Sequence, residues 1–262
     1  MLLRVHSIIR IQMLYDIKNW LVVFILSETS GSFELKLAAL YSGGKDSTFS
    51  IFRVKQLGHE VVSLLTMRPM ADDSPLFHHP NTWVTEYLAE AMKIPIKSLQ
   101  VNGRSKDDET KALGEALAQT RSLYGVEGIV YGGISSNYQK QAFEEICARL
   151  QIAAIAPLWN AEPQKYMSEL IERGFSIVIV AVSAMGLDKE WLGRQIDKSA
   201  LGRLAALAKK YGFNLTFEGG EAETLVTDCP LFHKKLRINS ATSHWDGQRG
   251  IFEIRDVSLV DK

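Results

Sequence analysis

Apolar positions along the chain change period repeatedly, and each change marks an element boundary. Residues 37–41 form a short apolar run that stops at Ser42. From Thr48 the apolar positions Phe49, Ile51, Phe52 and Val54 take up helical spacing, so the pattern predicts strand, glycine turn, helix. Residues 60–67 carry Val61, Val62, Leu64 and Leu65, the near-continuous apolar run of a strand covered on both faces. A polar, proline-containing loop follows over 68–80. Then 82–92 predicts a helix, 96–101 a strand, 106–124 a long helix and 128–131 a fourth strand. The next helix aligns Phe143, Ile146, Cys147 and Leu150 on one stripe. Beyond Pro157 the texture shifts: 161–173 predicts a helix and 175–183 a strand, 185–197 is dense in charge and glycine, and Leu201, Leu204, Ala205 and Ala208 form another helical stripe. Strands alternating with helices of this length predict an α/β fold, a doubly wound parallel sheet joined to a smaller C-terminal α/β domain.

The turn after the first strand reads Ser42-Gly43-Gly44-Lys45-Asp46-Ser47. A glycine turn entering a helix leaves the first N–H groups aimed at one point, where the helix dipole favours negative charge, so it suits a phosphate or pyrophosphate. Gly43 and Gly44 let the backbone approach an anion, Ser42 and Ser47 offer hydroxyls, and Asp46 either caps the helix or holds Mg²⁺. The spacing is not the G-x-x-x-x-G-K-[ST] phosphate loop. Two glycines alone would equally suit an ordinary βα loop. The full hexapeptide after a strand is more specific: it is similar to the S-G-G-x-D-S pyrophosphate loop of the ATP pyrophosphatase (PP-loop) superfamily, whose members cleave ATP to AMP and pyrophosphate. In an open α/β sheet the ligand lies outside the carboxyl ends of strands where the order reverses, which points to the loops after the first and fourth strands. The second of these, Gly132-Gly133-Ile134-Ser135-Ser136, is also rich in glycine and serine.

Composition narrows the partners. The chain has 262 residues, with 30 basic and 30 acidic side chains, so no global charge draws it to nucleic acid. Cys147 and Cys229 form no C-x-x-C, which argues against a zinc site, a disulfide framework or a sulfur relay. Residues 21–26 are apolar after Lys18, but the run is too short to span a bilayer and no A-x-A site follows. Residues 1–33 are therefore expected to be an extension in a cytoplasmic protein that makes no membrane contact; the loop puts an ATP-binding domain over 34–160, and the change of texture beyond Pro157 sets a second domain over 161–262.

The segment Glu218-Gly219-Gly220-Glu221-Ala222-Glu223-Thr224 sets three carboxylates around two glycines. It suits either a solvated acidic loop or a surface facing a cationic substrate, ammonia or a metal.

Taken together, LYSGGKDS (40–47), FHHPN (77–81), YGGISSNYQKQAFEEIC (131–147), PLW (157–159), GLDKEWLGRQID (186–197) and EGGEAETLVTDCPLF (218–232) resemble the diphthine–ammonia ligase family across residues 37–232. The 1–33 extension has no counterpart there, and Ala222 stands where an aromatic residue is common, which leaves a different acyl acceptor open. The resemblance implies that ATP activates the diphthine carboxylate of translation elongation factor 2 as an acyl adenylate, which ammonia then converts to diphthamide, with Mg²⁺ as cofactor. It implies nucleotide contacts from Tyr41, Ser42, Gly43, Gly44, Lys45, Asp46, Ser47, Thr66, Met67, Gly132, Gly133 and Ser135, with Asp46 at Mg²⁺. Lys140 and Arg194 would neutralise phosphate charge, and Glu218, Glu221 or Glu223 would handle ammonium and the trimethylammonium of diphthine. Residue-level alternatives stand beside these roles: Lys45 as a solvated helix residue, Trp191 as core, and Arg194 paired with Asp197. Three other functions share the first domain: a tRNA-modifying PP-loop enzyme, a non-catalytic nucleotide sensor and an amidoligase for a small acid. A homodimer is compatible with all of them.

Overall fold

A computed structural model describes residues 11–13, 23–25, 34–69, 81–101 and 106–262. Two units are distinguished, Met1–Phe33 and Glu34–Lys262. In the first, β1 (Ile11–Met13) and β2 (Val23–Ile25) pair antiparallel, with Gln12 opposite Phe24.

The second unit opens with β3 (Lys36–Leu40), α1 (Lys45–Gln56), β4 (Glu60–Pro69), α2 (Thr85–Met92), β5 (Ile96–Val101), α3 (Lys106–Tyr124), β6 (Gly128–Val130), α4 (Asn137–Leu150) and β7 (Ala153–Ile155). Its five strands are parallel in the order β5-β4-β3-β6-β7, so β3 lies between β4 and β6 and the order reverses there. The alternation of β3 side chains divides the core. Leu37, Ala39 and Tyr41 join Phe49, Val54 and Leu88 on one face, while Ala38 and Leu40 join Leu113, Leu117, Phe143 and Ile146 on the other. Cys147 packs in the second cluster, and burial pushes its thiol up to about 12.

The chain continues through α5 (Pro163–Glu172), β8 (Ser176–Val182), a 3-10 turn (Lys189–Trp191), α6 (Lys198–Tyr211), β9 (Ala222–Asp228), β10 (Lys235–Trp245) and β11 (Gly250–Val260). These strands form a separate antiparallel sheet in the order β10-β11-β8-β9. The first core cluster runs without a break from α1 and α2 into this half, where Phe49 meets Phe175 edge-on at 5.1 Å. Among the described residues no helix is long and apolar enough to cross a membrane.

Several elements differ from expectation. Helix α1 starts at Lys45, three residues before the apolar period becomes visible, and its N-cap is Gly44 rather than Asp46. Strand β7 is three residues long, too short to show a period. Strand β9 begins inside the acidic segment, where carboxylates mask its apolar positions. The β10–β11 hairpin has no counterpart in the sequence reading: β10 is mostly exposed with few apolar positions, and the apolar residues of β11 keep no strict alternation. The 68–80 loop falls almost wholly outside the described residues; of FHHPN only Asn81 is described, and its side-chain amide bonds Phe252 O and Ile254 N of β11.

Candidate active site

The loop from Ser42 to Ser47 is built from inside by its own serines. Ser42 Oγ and Ser47 Oγ lie 3.1 Å apart, and the Gly44 N–H donates to Ser42 Oγ at 3.3 Å. Gly43 has φ +81°, a conformation L side chains rarely adopt, and a Cβ there would meet Leu88 at 3.0 Å. The loop is also held from the antiparallel half. The Lys45 N–H at the start of α1 donates to Thr224 Oγ1 at 3.2 Å, and the Val226 N–H donates to Gly43 O at 2.9 Å. Strand β9 thus docks directly on the loop, so EGGEAET and SGGKDS are two walls of one structure.

Lys45 is not a solvated helix residue. It is 2% exposed, with Nζ donating to Asp46 Oδ2 at 2.8 Å, Asp46 Oδ1 at 3.0 Å and Thr216 O at 2.5 Å. A buried ammonium needs a counter-ion and acceptors, and here Asp46 and a backbone carbonyl supply both. Asp46 Oδ1 also accepts a hydrogen bond from the Tyr166 hydroxyl at 2.7 Å. Burial first, and then the Asp46 charge, hold the Tyr166 phenol well above its ordinary range, so it stays a donor.

The three glutamates of the acidic segment have different surroundings. Glu218 Oε1 accepts from the Ile134, Ser135 and Ser136 N–H groups at 3.0, 3.1 and 3.2 Å, tying this segment to the loop after β6. Glu221 is engaged within its own turn: Oε1 accepts from the Asn214 N–H at 2.9 Å and Oε2 from the Gly219 N–H at 2.8 Å. Glu223 lies on β9 beside Thr224.

A cavity of about 290 Å³ joins these parts at the carboxyl ends of β3, β4 and β6. Ser42, Gly44, Lys45, Asp46 and Ser47 supply polar lining, while Leu40, Leu65, Met67, Tyr131 and Phe143 supply an apolar surface suited to a nucleobase. Tyr41, Thr66, Gly132 and Gly133 also line it, as do Glu218 and Glu223. Thr66 Oγ1 donates to Tyr41 O at 2.8 Å, which fixes the strand ends against each other. Gly43, Ser135, Lys140, Arg194 and Glu221 are not among the lining residues. Lys140 Nζ sits 4.4 Å from the centre of the Trp159 ring and 3.8 Å from Glu144 Oε1. The Arg194 guanidinium stacks over the buried Trp191 ring at 5.1 Å, and Asp197, instead of pairing with Arg194, caps α6 by accepting from the Ala200 N–H at 2.7 Å.

Thr224, Tyr166 and Phe217 are site residues that sequence reasoning left unassigned. Thr224 belongs to a segment already singled out, whereas Tyr166 shares an apolar stripe with Met167 and Leu170 that looks like core alone.

The donor set fits ATP and a Mg²⁺ carried with its phosphates. Among the described residues no group of three or more His, Cys, Asp or Glu could hold a metal unaided. Magnesium on phosphates needs only one or two protein carboxylates, and Asp46, with a side chain 28% exposed, lines the cavity beside the loop.

The family profile of the diphthamide synthase N-terminal domain matches residues 35–154 and that of the diphthamide synthase C-terminal domain matches 162–260. The diphthine–ammonia ligase of Homo sapiens is 35% identical over 225 residues, covering 79% of this chain and 84% of that protein. Its Bos taurus counterpart is 34% identical with the same coverage. That of Schizosaccharomyces pombe is 31% identical over 217 residues, 77% of this chain but 36% of the longer yeast protein. A solved structure from Methanocaldococcus jannaschii, described as a predicted subunit of tRNA methyltransferase, aligns at 14% identity and TM-score 0.40 over 75% of this chain and 98% of its own, a likeness too weak to carry meaning here. With both profiles matched in order and relatives covered over most of their length, the chain belongs to the diphthamide synthase family, whose named members are diphthine–ammonia ligases.

Proposed function

We propose that this chain is an ATP-dependent ligase that amidates the carboxylate of diphthine on translation elongation factor 2 with ammonia, through an acyl adenylate, in the cytoplasm. One observation carries the reading: the loop at the N-terminus of α1 and the carboxylates Glu218 and Glu223 line the same cavity. A phosphate site and a cation-attracting surface in one cleft are what amidation of a cationic acid requires.

A carboxylate resists ammonia because its leaving group would be oxide. Attack by the carboxylate oxygen on the α-phosphorus forms the acyl–phosphate bond and breaks the bond to the β-phosphate, releasing pyrophosphate. The hydroxyls of Ser42 and Ser47 and the backbone of the 42–47 loop stabilise the departing charge. Bound Mg²⁺ would neutralise phosphate oxygens, held by Asp46. Ammonia then attacks the acyl carbon, AMP leaves with the oxygen that came from the carboxylate, and the nitrogen loses a proton. Glu223 is assigned to that proton and to the fixed trimethylammonium of diphthine. Glu218 is assigned to shaping the cleft through its three N–H bonds, and Glu221 to building the 214–220 turn.

The test is incubation with ATP, ammonium and diphthine-modified elongation factor 2, read by the mass of the modified peptide. The expected outcome is conversion of acid to amide with one AMP and one pyrophosphate per turnover. An unchanged peptide, or ADP and phosphate as products, contradicts the proposal.

A further inference from the structure

We infer that Tyr166 is a positioning residue for Asp46, so that the C-terminal half of the chain sets the geometry of the pyrophosphate loop. The inference rests on the adenylation reading above and adds a residue to it.

Asp46 sits in the first turn of α1, where a short side chain has several rotamers open to it. Two buried donors remove that freedom. Lys45 Nζ bonds both carboxylate oxygens, and the Tyr166 hydroxyl, from a residue 120 positions later, bonds Oδ1 at 2.7 Å. An ammonium is a compact charge that tolerates many approach angles, whereas a phenol fixed at its ring offers one direction. That ring is held: it is 3% exposed and lies 5.7 Å from the Phe49 ring of α1. A carboxylate accepts about four hydrogen bonds, so capacity remains on Asp46 for a cation or water at the cavity. The phenol therefore selects which oxygen carries two protein bonds and which carries one and keeps more capacity toward the cavity.

Tyr166→Phe removes the hydroxyl and keeps the ring packing. Glu169→Gln is the control: Glu169 also joins α5 to α1, through Arg53 Nη2 at 2.7 Å, without touching Asp46. Three readouts are taken on the full chain: ATP–pyrophosphate exchange with diphthine-modified factor across Mg²⁺ concentrations, the affinity for an ATP analogue uncleavable between its α- and β-phosphates with Mg²⁺ or with a chelator, and melting temperature. Tyr166→Phe is expected to slow exchange at limiting Mg²⁺ by about tenfold or more and to lose most of the Mg²⁺-dependent part of analogue affinity, while melting close to the parent. In an Asp46→Asn background it should add nothing, since its effect passes through that carboxylate. Glu169→Gln should lower the melting temperature and leave the Mg²⁺ dependence alone. Parental exchange and Mg²⁺ dependence in Tyr166→Phe, or an undiminished effect on top of Asp46→Asn, overturns the inference. Absence of exchange in the parent itself would instead refute adenylation, and the analogue affinities would still decide the role of Tyr166.

Discussion

Lys45 and Asp46 depend on each other, and this changes how substitutions at the loop must be designed. Removing Asp46 as alanine strands a buried ammonium against Thr216 O and the Phe217 ring, so lost activity would mix chemistry with misfolding. Asp46→Asn keeps the shape and an acceptor for Lys45. The converse change, Lys45→Met, keeps the packed stem and leaves Asp46 with Tyr166 alone. Because Asp46 is partly solvated, the penalty falls below that of a fully buried pair, and a loss of about 2 kcal/mol is expected from urea unfolding. An unchanged unfolding midpoint would mean that the buried pair adds nothing to the fold. The strand–turn–helix geometry of the loop was legible from the sequence because SGGKDS is contiguous. The separate roles of Glu218, Glu221 and Glu223 were not, because what distinguishes them is hydrogen bonding, and the donors to Glu218 lie 82 to 84 residues upstream. Cys147 and Cys229 were read as inert or unpaired from spacing alone, and burial pushes both thiols up to about 12. Tyr166 carried no local signal, since a tyrosine in an apolar helical stripe is indistinguishable from core until its hydroxyl finds a partner.

The start of α1 is the element on which the cleft turns, and it is crowded from two sides. Strand β9 supplies Thr224 and Val226 to one side, and the loop after β6 presses on the other. A Cβ at Gly132 would lie 2.7 Å from Ser47 N and 2.8 Å from Asp46 C, both backbone atoms with no side-chain freedom to yield. Gly132→Ala should therefore push the two loops apart and weaken ATP binding at least tenfold, about 1.4 kcal/mol, in an equilibrium titration. ATP affinity equal to the parent's would show that the loops do not need this close approach. Of the parallel strands, β3 and β4 were the most readable, because burial on both faces makes each a near-continuous apolar run, whereas the three-residue β7 was missed. Of the antiparallel strands only β8, an apolar run, was readable: β10 lies at the sheet edge with few buried positions, and β9 hides its register behind carboxylates.

Across the whole second unit, the two family profiles match residues 35–154 and 162–260, and the described residues from Glu34 to Lys262 cluster as one compact unit. The shared core of Phe49, Tyr166 and Phe175, together with the bonds from Thr224, Val226, Thr216 and Tyr166 to the loop, explains why. The SGGKDS loop and the acidic EGGEAET segment were placed from sequence in separate domains. In the fold the two segments are adjoining walls of a single cavity, an arrangement that suits the proposed adenylate, which must be formed and consumed without escaping to water. The most direct measurement follows the oxygen atoms. Diphthine-modified elongation factor labelled with ¹⁸O in the diphthine carboxylate is incubated with this protein, ATP and ammonium, and the nucleotide products are analysed by mass. Adenylation predicts that one labelled oxygen per amide formed appears in AMP, and unlabelled AMP or label transferred to inorganic phosphate beside ADP would contradict it.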